Sequence, residues 1–241
     1  MAGAVEGGAQ TKARLIEAAI RTLLAHGYSG ASARTIAKEA GVNSALVFYH
    51  FGGVDALLLA AFRQVSAERL AVHRATIAAA HTLEELTEAA ERIYRADIEG
   101  GHIAVFSELV GAAISKPELR GPIVEHAQLW LEFAESTLQR VIGGTPLAKL
   151  VPPRDLANAA MTFYFGVYLF TVLDTDRSRT ESLFELGRRL APRAKLLTVR
   201  LPRRRTARVV EGSAPPNSTA SGPTSTRSAG DSSVGQQDLP T

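Results

Sequence analysis

Apolar side chains recur every three or four residues over most of the chain. No alternating apolar–polar run longer than about four residues appears, so the pattern predicts helices and no sheet. Between Thr11 and Tyr28 the stripe is Leu15, Ile16, Ala19, Ile20, Leu23 and Leu24, with Arg14, Glu17 and Arg21 off it and Gly27 at its end. Ser32 is placed to cap a short helix that carries Ile36, Ala37 and Ala40. Gly41 supplies a left-handed exit, Val42 plugs the turn, and Asn43 or Ser44 caps a second helix presenting Val47 and Phe51 inward. Two helices joined by a few residues with a Gly make either a DNA-binding helix-turn-helix or an ordinary helical hairpin. The three helices together are marginal for independent stability and need a neighbour.

A fourth helix starts near Val54 with Leu57, Leu58, Ala61, Phe62 and Val65, after which its pattern turns polar. Thr82 and Glu85 form a capping box for a fifth helix carrying Leu83, Leu86, Ala90, Ile93 and Tyr94, which Gly100-Gly101 ends. A sixth carries Ile103, Phe106, Val110 and Ile114. Ser115 and Glu118 read as a second capping box with Pro117 in the first turn, and Gly121-Pro122 offers another start for the seventh helix. Pro146, Pro152 and Pro153 mark a loop. From Asp155 to about Leu173 an eighth helix is apolar almost all round, which predicts burial on all sides in a core extended by a partner subunit. Ser178 and Glu181 open a ninth helix with Leu183, Phe184, Leu186 and Leu190.

Composition narrows the picture. A chain of 241 residues holds one large or two modest domains. It has no Cys, hence no disulfide framework and no thiolate metal site. MAGAVEGGAQ lacks the features of a signal peptide. The uncharged run between Asp155 and Asp174 has acidic rather than basic flanks, which favours a core or interface helix over a membrane span. Net charge is +3, which permits nucleic-acid binding without demanding it. Beyond Arg200 the character changes. Arg200, Arg203, Arg204, Arg205 and Arg208 form a basic cluster, able to touch phosphates or to be a solvated tail. Of the 30 residues from Gly212 to Thr241, 19 are Ser, Thr, Gly or Pro, a composition that predicts disorder.

Catalytic signatures are scarce. The six His show no metal-ligand spacing, and no Gly-rich phosphate loop occurs. Asp97 and Glu99 near His102 make either an acid/base cluster or a helix end with its loop. Neither enzyme activity nor a cofactor or metal is expected.

Residues 11–57 resemble the DNA-binding domain of the TetR (tetracycline repressor) family of bacterial transcription regulators. The matching positions are Arg14, Ala18-Ala19, Gly27-Tyr28, Ser32, Ile36-Ala37, Ala40-Gly41-Val42, Tyr49-His50-Phe51 and Leu57, and AGVNSALVFYHF follows the family's AGVSxGxLYYHF. The resemblance implies an all-α chain of about nine helices. Its expected divisions are a flexible N-terminus (1–10), the DNA-binding domain (11–55, motif 32–51), a ligand-binding and dimerisation domain (56–200) and a disordered tail (201–241).

The DNA-facing positions it implies are Ser32, Arg34, Asn43, Ser44, Ala45, Leu46, Phe48, Tyr49, His50 and Gly53. Ser44 can bond a base or phosphate, and Ala45 replaces a common Gly while still permitting close approach. Leu46 meets a thymine methyl or packs on Val54. Tyr49 and His50 fall where phosphates are contacted, His50 being alternatively a structural histidine. Phe48 replaces a frequent Tyr, and Val54 a frequent Lys. Residues 1–60 hold five basic against four acidic side chains, so phosphate-driven affinity is expected to be modest and base preference to lean on shape and methyl contacts.

In the family, helices 4 to 8 enclose a small-molecule pocket. The candidates here are Phe106, Trp130, Phe133, Tyr164 and Tyr168, with Glu108, His126 and Asn158 as polar anchors, for a mostly apolar effector. The implied function is a cytoplasmic, ligand-responsive repressor, not bound to a membrane. It would be a homodimer through helices near 155–173 and 179–191, on a pseudo-palindromic double-stranded operator. The alternative is a helical adaptor that keeps the shape without reading DNA.

Overall fold

The first apolar stripe is buried as its spacing requires: Leu15, Ala18, Ala19 and Leu23 of α1 (Ala2–Gly30) are closed off from solvent. The structure, a computed structural model, describes residues 2–173, 178–193 and 195–198. The Arg cluster and the tail at 201–241 lie outside the described residues. α1 begins at Ala2, inside the stretch 1–10. Thr11 Oγ1 donates to the Gly7 carbonyl at 2.8 Å. The helix breaks at Gly27, whose φ of 64° is left-handed and open to glycine at little cost.

α2 (Ala33–Ala40), α3 (Ala45–Phe51) and α4 (Val54–Ile77) follow. Ile36, Ala37, Val47, Leu57 and Leu58 close a core with α1. The neighbour this small unit needs is α6 (His102–Ser115), which adds Val105 and Leu109 to the same core. α5 (Leu83–Glu99) starts on the expected capping box, with Thr82 Oγ1 and the Glu85 carboxylate each accepting from the other's backbone N–H.

The second expected box does not form. Ser115 closes α6, and Pro117–Leu119 is a 3-10 turn in which the Leu119 N–H donates to the Lys116 carbonyl at 3.1 Å. α7 (Arg120–Ile142) therefore starts just before Gly121-Pro122. The expected loop after it contains α8 (Pro146–Leu150), capped by Thr145 with Pro146 at the first helical position.

α9 (Pro153–Leu173) runs along α7, and α10 (Ser178–Arg193) lies on α5, where Arg188 pairs with Glu91; Lys195–Thr198 adds a last turn, α11. A second core joins Ile77, Leu86, Ile93, Leu138, Ile142 and Ala157, and a third joins Tyr94, Ile103, Val167 and Tyr168. Among the described residues there is no strand. The all-round burial expected of α9 is not met within one chain. Ala157, Val167 and Tyr168 are buried, but Phe163, Leu169, Phe170, Val172 and Leu173 are exposed. By length and composition α9 could cross a bilayer, yet its inner side is built into the α5–α7 body.

Candidate nucleic-acid interface

The turn between α2 and α3 is fixed at both ends by local hydrogen bonds. Ser32 Oγ accepts from the Thr35 N–H at 3.1 Å and so caps α2. At the other end Gly41 is left-handed (φ 63°), and the Val42 N–H returns to the Ala37 carbonyl at 2.9 Å, a Schellman-type closure. Arg14 of α1 donates to the Ala40 carbonyl at 2.6 Å, satisfying a helix-end acceptor and locking α1 to the turn. Asn43, not Ser44, starts α3: its Oδ1 accepts from the Ala45 N–H at 2.8 Å, while Ser44 makes no capping bond.

With Val47 buried, the opposite side of α3 faces solvent. Ser44 and Ala45 are exposed, Phe48 is 56% exposed and Tyr49 81%. Two neighbouring aromatics left in water on a seven-residue helix have no role in the core. Arg34 of α2 is also exposed, and among the described residues Lys12, Arg34 and Lys38 are in no ion pair. Arg21, by contrast, is paired with Glu39 at 2.7 Å.

Two clamps tie this unit to the rest of the body. Glu108 on α6 accepts from the Tyr28 backbone N–H at 2.7 Å, a donor that the break at Gly27 aims outward. Lys116, just beyond α6, pairs with Asp55 in the first turn of α4 at 2.9 Å, lies over the Tyr28 ring, and shares Asp55 with the Tyr28 hydroxyl. Hydrogen bonds that the Lys116 ammonium donates to Tyr28 and Asp55 push its pKa up. Burial raises that of Asp55, but the bonds from Tyr28 and Lys116 outweigh it and hold the carboxyl below its usual range.

Deeper in the body lie two cavities sharing Trp130, Met161 and Tyr164 as a common wall. One, of about 70 Å³, is lined by Phe62, Ser66, Arg69, Asp97, His102, Ile103, Phe106 and Phe165 among others. The second, of about 180 Å³, is lined by His73, Ile93, Phe133, Leu138 and further apolar side chains. Between them sits a buried polar knot. Asp97 pairs with Arg69 at 2.6 Å and accepts from His73 Nε2 at 2.8 Å and from the Tyr164 hydroxyl at 2.5 Å. Burial raises the Asp97 pKa, yet the bonds from His73 and Tyr164 and the charge of Arg69 bring it below the usual carboxylate range. Tyr164 is pushed up by burial and by Asp97. His102 is pushed down by burial and by Arg69. Trp130 Nε1 donates to Ser66 Oγ at 2.6 Å.

The family model described as bacterial regulatory proteins, tetR family, matches residues 15–61, the span that builds this turn and the exposed α3 face. Residues 15–61 thus carry a tetR-family domain. It is 30% identical over 127 residues to the HTH-type transcriptional regulator BetI of Stenotrophomonas maltophilia, which covers 53% of this chain and 54% of that one. The curated relatives it matches are thus spanned over about half of their length. Among solved structures, a TetR-family member of Streptomyces coelicolor A3 is 28% identical with a TM-score of 0.54, over 78% of this chain and 99% of that one. The multidrug binding protein EbrR complexed with imidazole is 27% identical with a TM-score of 0.53, over 79% and 91%.

In this tetR-family domain the expected DNA-facing residues fall into two groups. Arg34, Ser44, Ala45, Phe48 and Tyr49 are exposed, while Ser32 and Asn43, also exposed, have their side chains engaged as caps. Leu46, His50 and Gly53 are half-buried, and Leu46 packs onto the N-terminal core, so its chief contact is within the fold.

Of the expected cavity residues, Phe106, Trp130, Phe133 and Tyr164 do line the cavities. Tyr168 is in the third core, His126 stacks edge-on against Phe62, and Asn158 is exposed. Glu108 is the clamp on Tyr28. Sequence reasoning missed Ser66, Arg69 and His73 as lining residues. Their signal was present: Phe62, Ser66, Arg69, His73 and Ile77 continue the α4 stripe at steps of three or four. Asp97 likewise continues Leu86, Ala90 and Ile93 on α5. A charged residue on a buried stripe needs a partner, and each of these stripes supplies the other's.

Proposed function

We propose that the chain is a transcriptional regulator that binds a pseudo-palindromic operator as a homodimer and is released from it by a small molecule, acting as a repressor. The observation carrying this is the solvent-facing Ser44, Ala45, Phe48 and Tyr49 surface of α3, held by a turn that is capped at both ends. A helix so presented fits the major groove, and a twofold axis then sets the half-site spacing. The relatives named above as transcriptional regulators support the same reading.

Support for the dimer comes from α9 and α10, which leave Phe163, Phe170, Leu183, Leu186 and Leu190 exposed; a second copy would cover them. Support for ligand response comes from the cavities, since α4 and α6 both line one of them and both reach the DNA-binding unit. On α6, Ile103 and Phe106 meet the cavity, Glu108 holds Tyr28, and Lys116 holds Asp55 beyond its end. A ligand that prefers one position of α6 therefore shifts the spacing of the two α3 helices. As a DNA reader the protein works in the cytoplasm.

A gel shift with DNA flanking the protein's own gene tests the reading. A folded dimer that binds no such DNA at low salt belongs instead to a helical adaptor, a reading favoured by the low charge of residues 1–60 and by Arg14 and Arg21 being engaged internally. The clamp has its own test. Glu108→Ala speeds amide hydrogen exchange at Tyr28 by tenfold or more, because an N–H bonded to a carboxylate is worth about 1.5–3 kcal/mol. Glu108→Gln, which keeps an acceptor oxygen, retains most of the protection. Equal exchange in all three proteins excludes the clamp.

A further inference from the structure

The effector's chemistry follows from which polar groups in the smaller cavity are already engaged. Its lining contains one carboxylate, Asp97, which is paired with Arg69 at 2.6 Å and accepts from His73 at 2.8 Å and from Tyr164 at 2.5 Å. Oδ2 takes both His73 and Tyr164, and Oδ1 faces the Arg69 guanidinium, whose charge already balances it. Arg69 in turn balances Asp97, so a ligand anion would enter a site whose one fixed cation is committed. Three buried atoms remain without a hydrogen-bond partner: Oδ1 of Asp97, which is in the ion pair with Arg69, Nε of Arg69 and Nδ1 of His102. A buried donor left unpaired is costly, and an acceptor that reaches it recovers that cost. The other walls, Phe62, Phe106, Phe165 and Trp130, are apolar.

The geometry points to an uncharged, mostly apolar effector that carries a carbonyl-type oxygen, with that oxygen taken by the Arg69 guanidinium beside His102 and its hydrocarbon part against Phe106 and Trp130. This rests on the ligand-responsive reading of the cavity and gives its ligand a class. An amine brings a second cation to a carboxylate that Arg69 already neutralises. A carboxylate must share Arg69 with Asp97, and burial of a poorly compensated charge is strongly unfavourable. A plain hydrocarbon leaves the Arg69 donor unmet.

Trp130 is the one Trp of the chain and lines both cavities, so its fluorescence reports occupancy of either, and Arg69→Lys assigns the signal to the smaller one, which alone contains Arg69. The experiment titrates the full-length protein with 2-octanone, octanoate and octylammonium, three probes of equal chain length. The ketone is expected to shift the Trp130 emission with at least tenfold higher affinity than either ion. Arg69→Lys keeps a cation beside Asp97 but removes the Nε donor, and is expected to weaken the ketone about tenfold with an unchanged circular dichroism spectrum. The wild-type ranking stands as a test even where that variant does not fold. Tighter binding of octylammonium or octanoate overturns the assigned class and leaves the ligand cavity intact. A ketone affinity that Arg69→Lys leaves unchanged overturns the role of Arg69. Binding of none of the three overturns the cavity reading together with the class.

Discussion

Asp97→Ala is expected to destabilise the protein by about 3–5 kcal/mol, the range for removing one member of a buried charge pair. Asp97 is 2% exposed and joins α4, α5 and α9 through Arg69, His73 and Tyr164. Its loss leaves the Arg69 guanidinium without a counter-ion in a largely apolar surrounding and two further donors unmet. Urea unfolding followed by circular dichroism should show a midpoint lowered by about 1–2 M, at a slope typical of this size. Asp97→Asn, which keeps acceptor capacity without the charge, loses less.

The same group fixes the sign of an acid response. Its folded pKa lies below the ordinary 3.8, so its contribution is fully present above the unfolded value. It is lost as the pH falls through the folded one. The wild type therefore sheds this stability below about pH 4, a component absent from the pH profile of Asp97→Asn. A stability loss under about 1 kcal/mol for Asp97→Ala contradicts the knot's role.

The second large effect is on DNA and leaves stability alone. Phe48→Ala with Tyr49→Ala removes two side chains that are mostly in water, so the thermal midpoint should hold, surface changes of this kind being worth within about 0.5 kcal/mol. Operator affinity should fall about a hundredfold, roughly 3 kcal/mol, as expected for two aromatic anchors at the centre of an interface. Tyr49→Phe alone removes only the hydroxyl, and about fivefold is expected if it bonds a phosphate. Fluorescence anisotropy with a labelled operator duplex measures all three. Affinities within a factor of three of wild type would move the reading surface off this face of α3.

What was legible in the sequence follows the range of the interaction. Ser32, Gly41 and the α2 stripe act over four to nine residues, and the turn could be read from them directly. Thr82 and Glu85 were equally local and formed the box they announced. Ser115 and Glu118 announced one too, but the backbone bond from Leu119 to Lys116 closed the turn first. Thr145 followed by Pro146 is a capping signal inside a stretch that its three prolines marked as a loop. Glu108 was taken for a cavity anchor. Its true partner is a backbone donor 80 residues away, aimed by the left-handed Gly27. The Asp97 knot spans 24 residues to His73 and 67 to Tyr164, and helical spacing marks the buried face of each helix without saying which faces meet. The uncovered side of α9 was foreseen as a partner's share of the core, and in the single chain it is indeed open.

The measurement that bears most directly on the account is DNase footprinting of the full-length protein on the DNA upstream of its own gene, run beside the Phe48→Ala, Tyr49→Ala variant. The account predicts two protected half-sites related by a twofold axis, their centres about one helical turn or more apart, with protection lost in the variant at the same concentration. A single unsymmetrical protected stretch, or equal protection by both proteins, would contradict it.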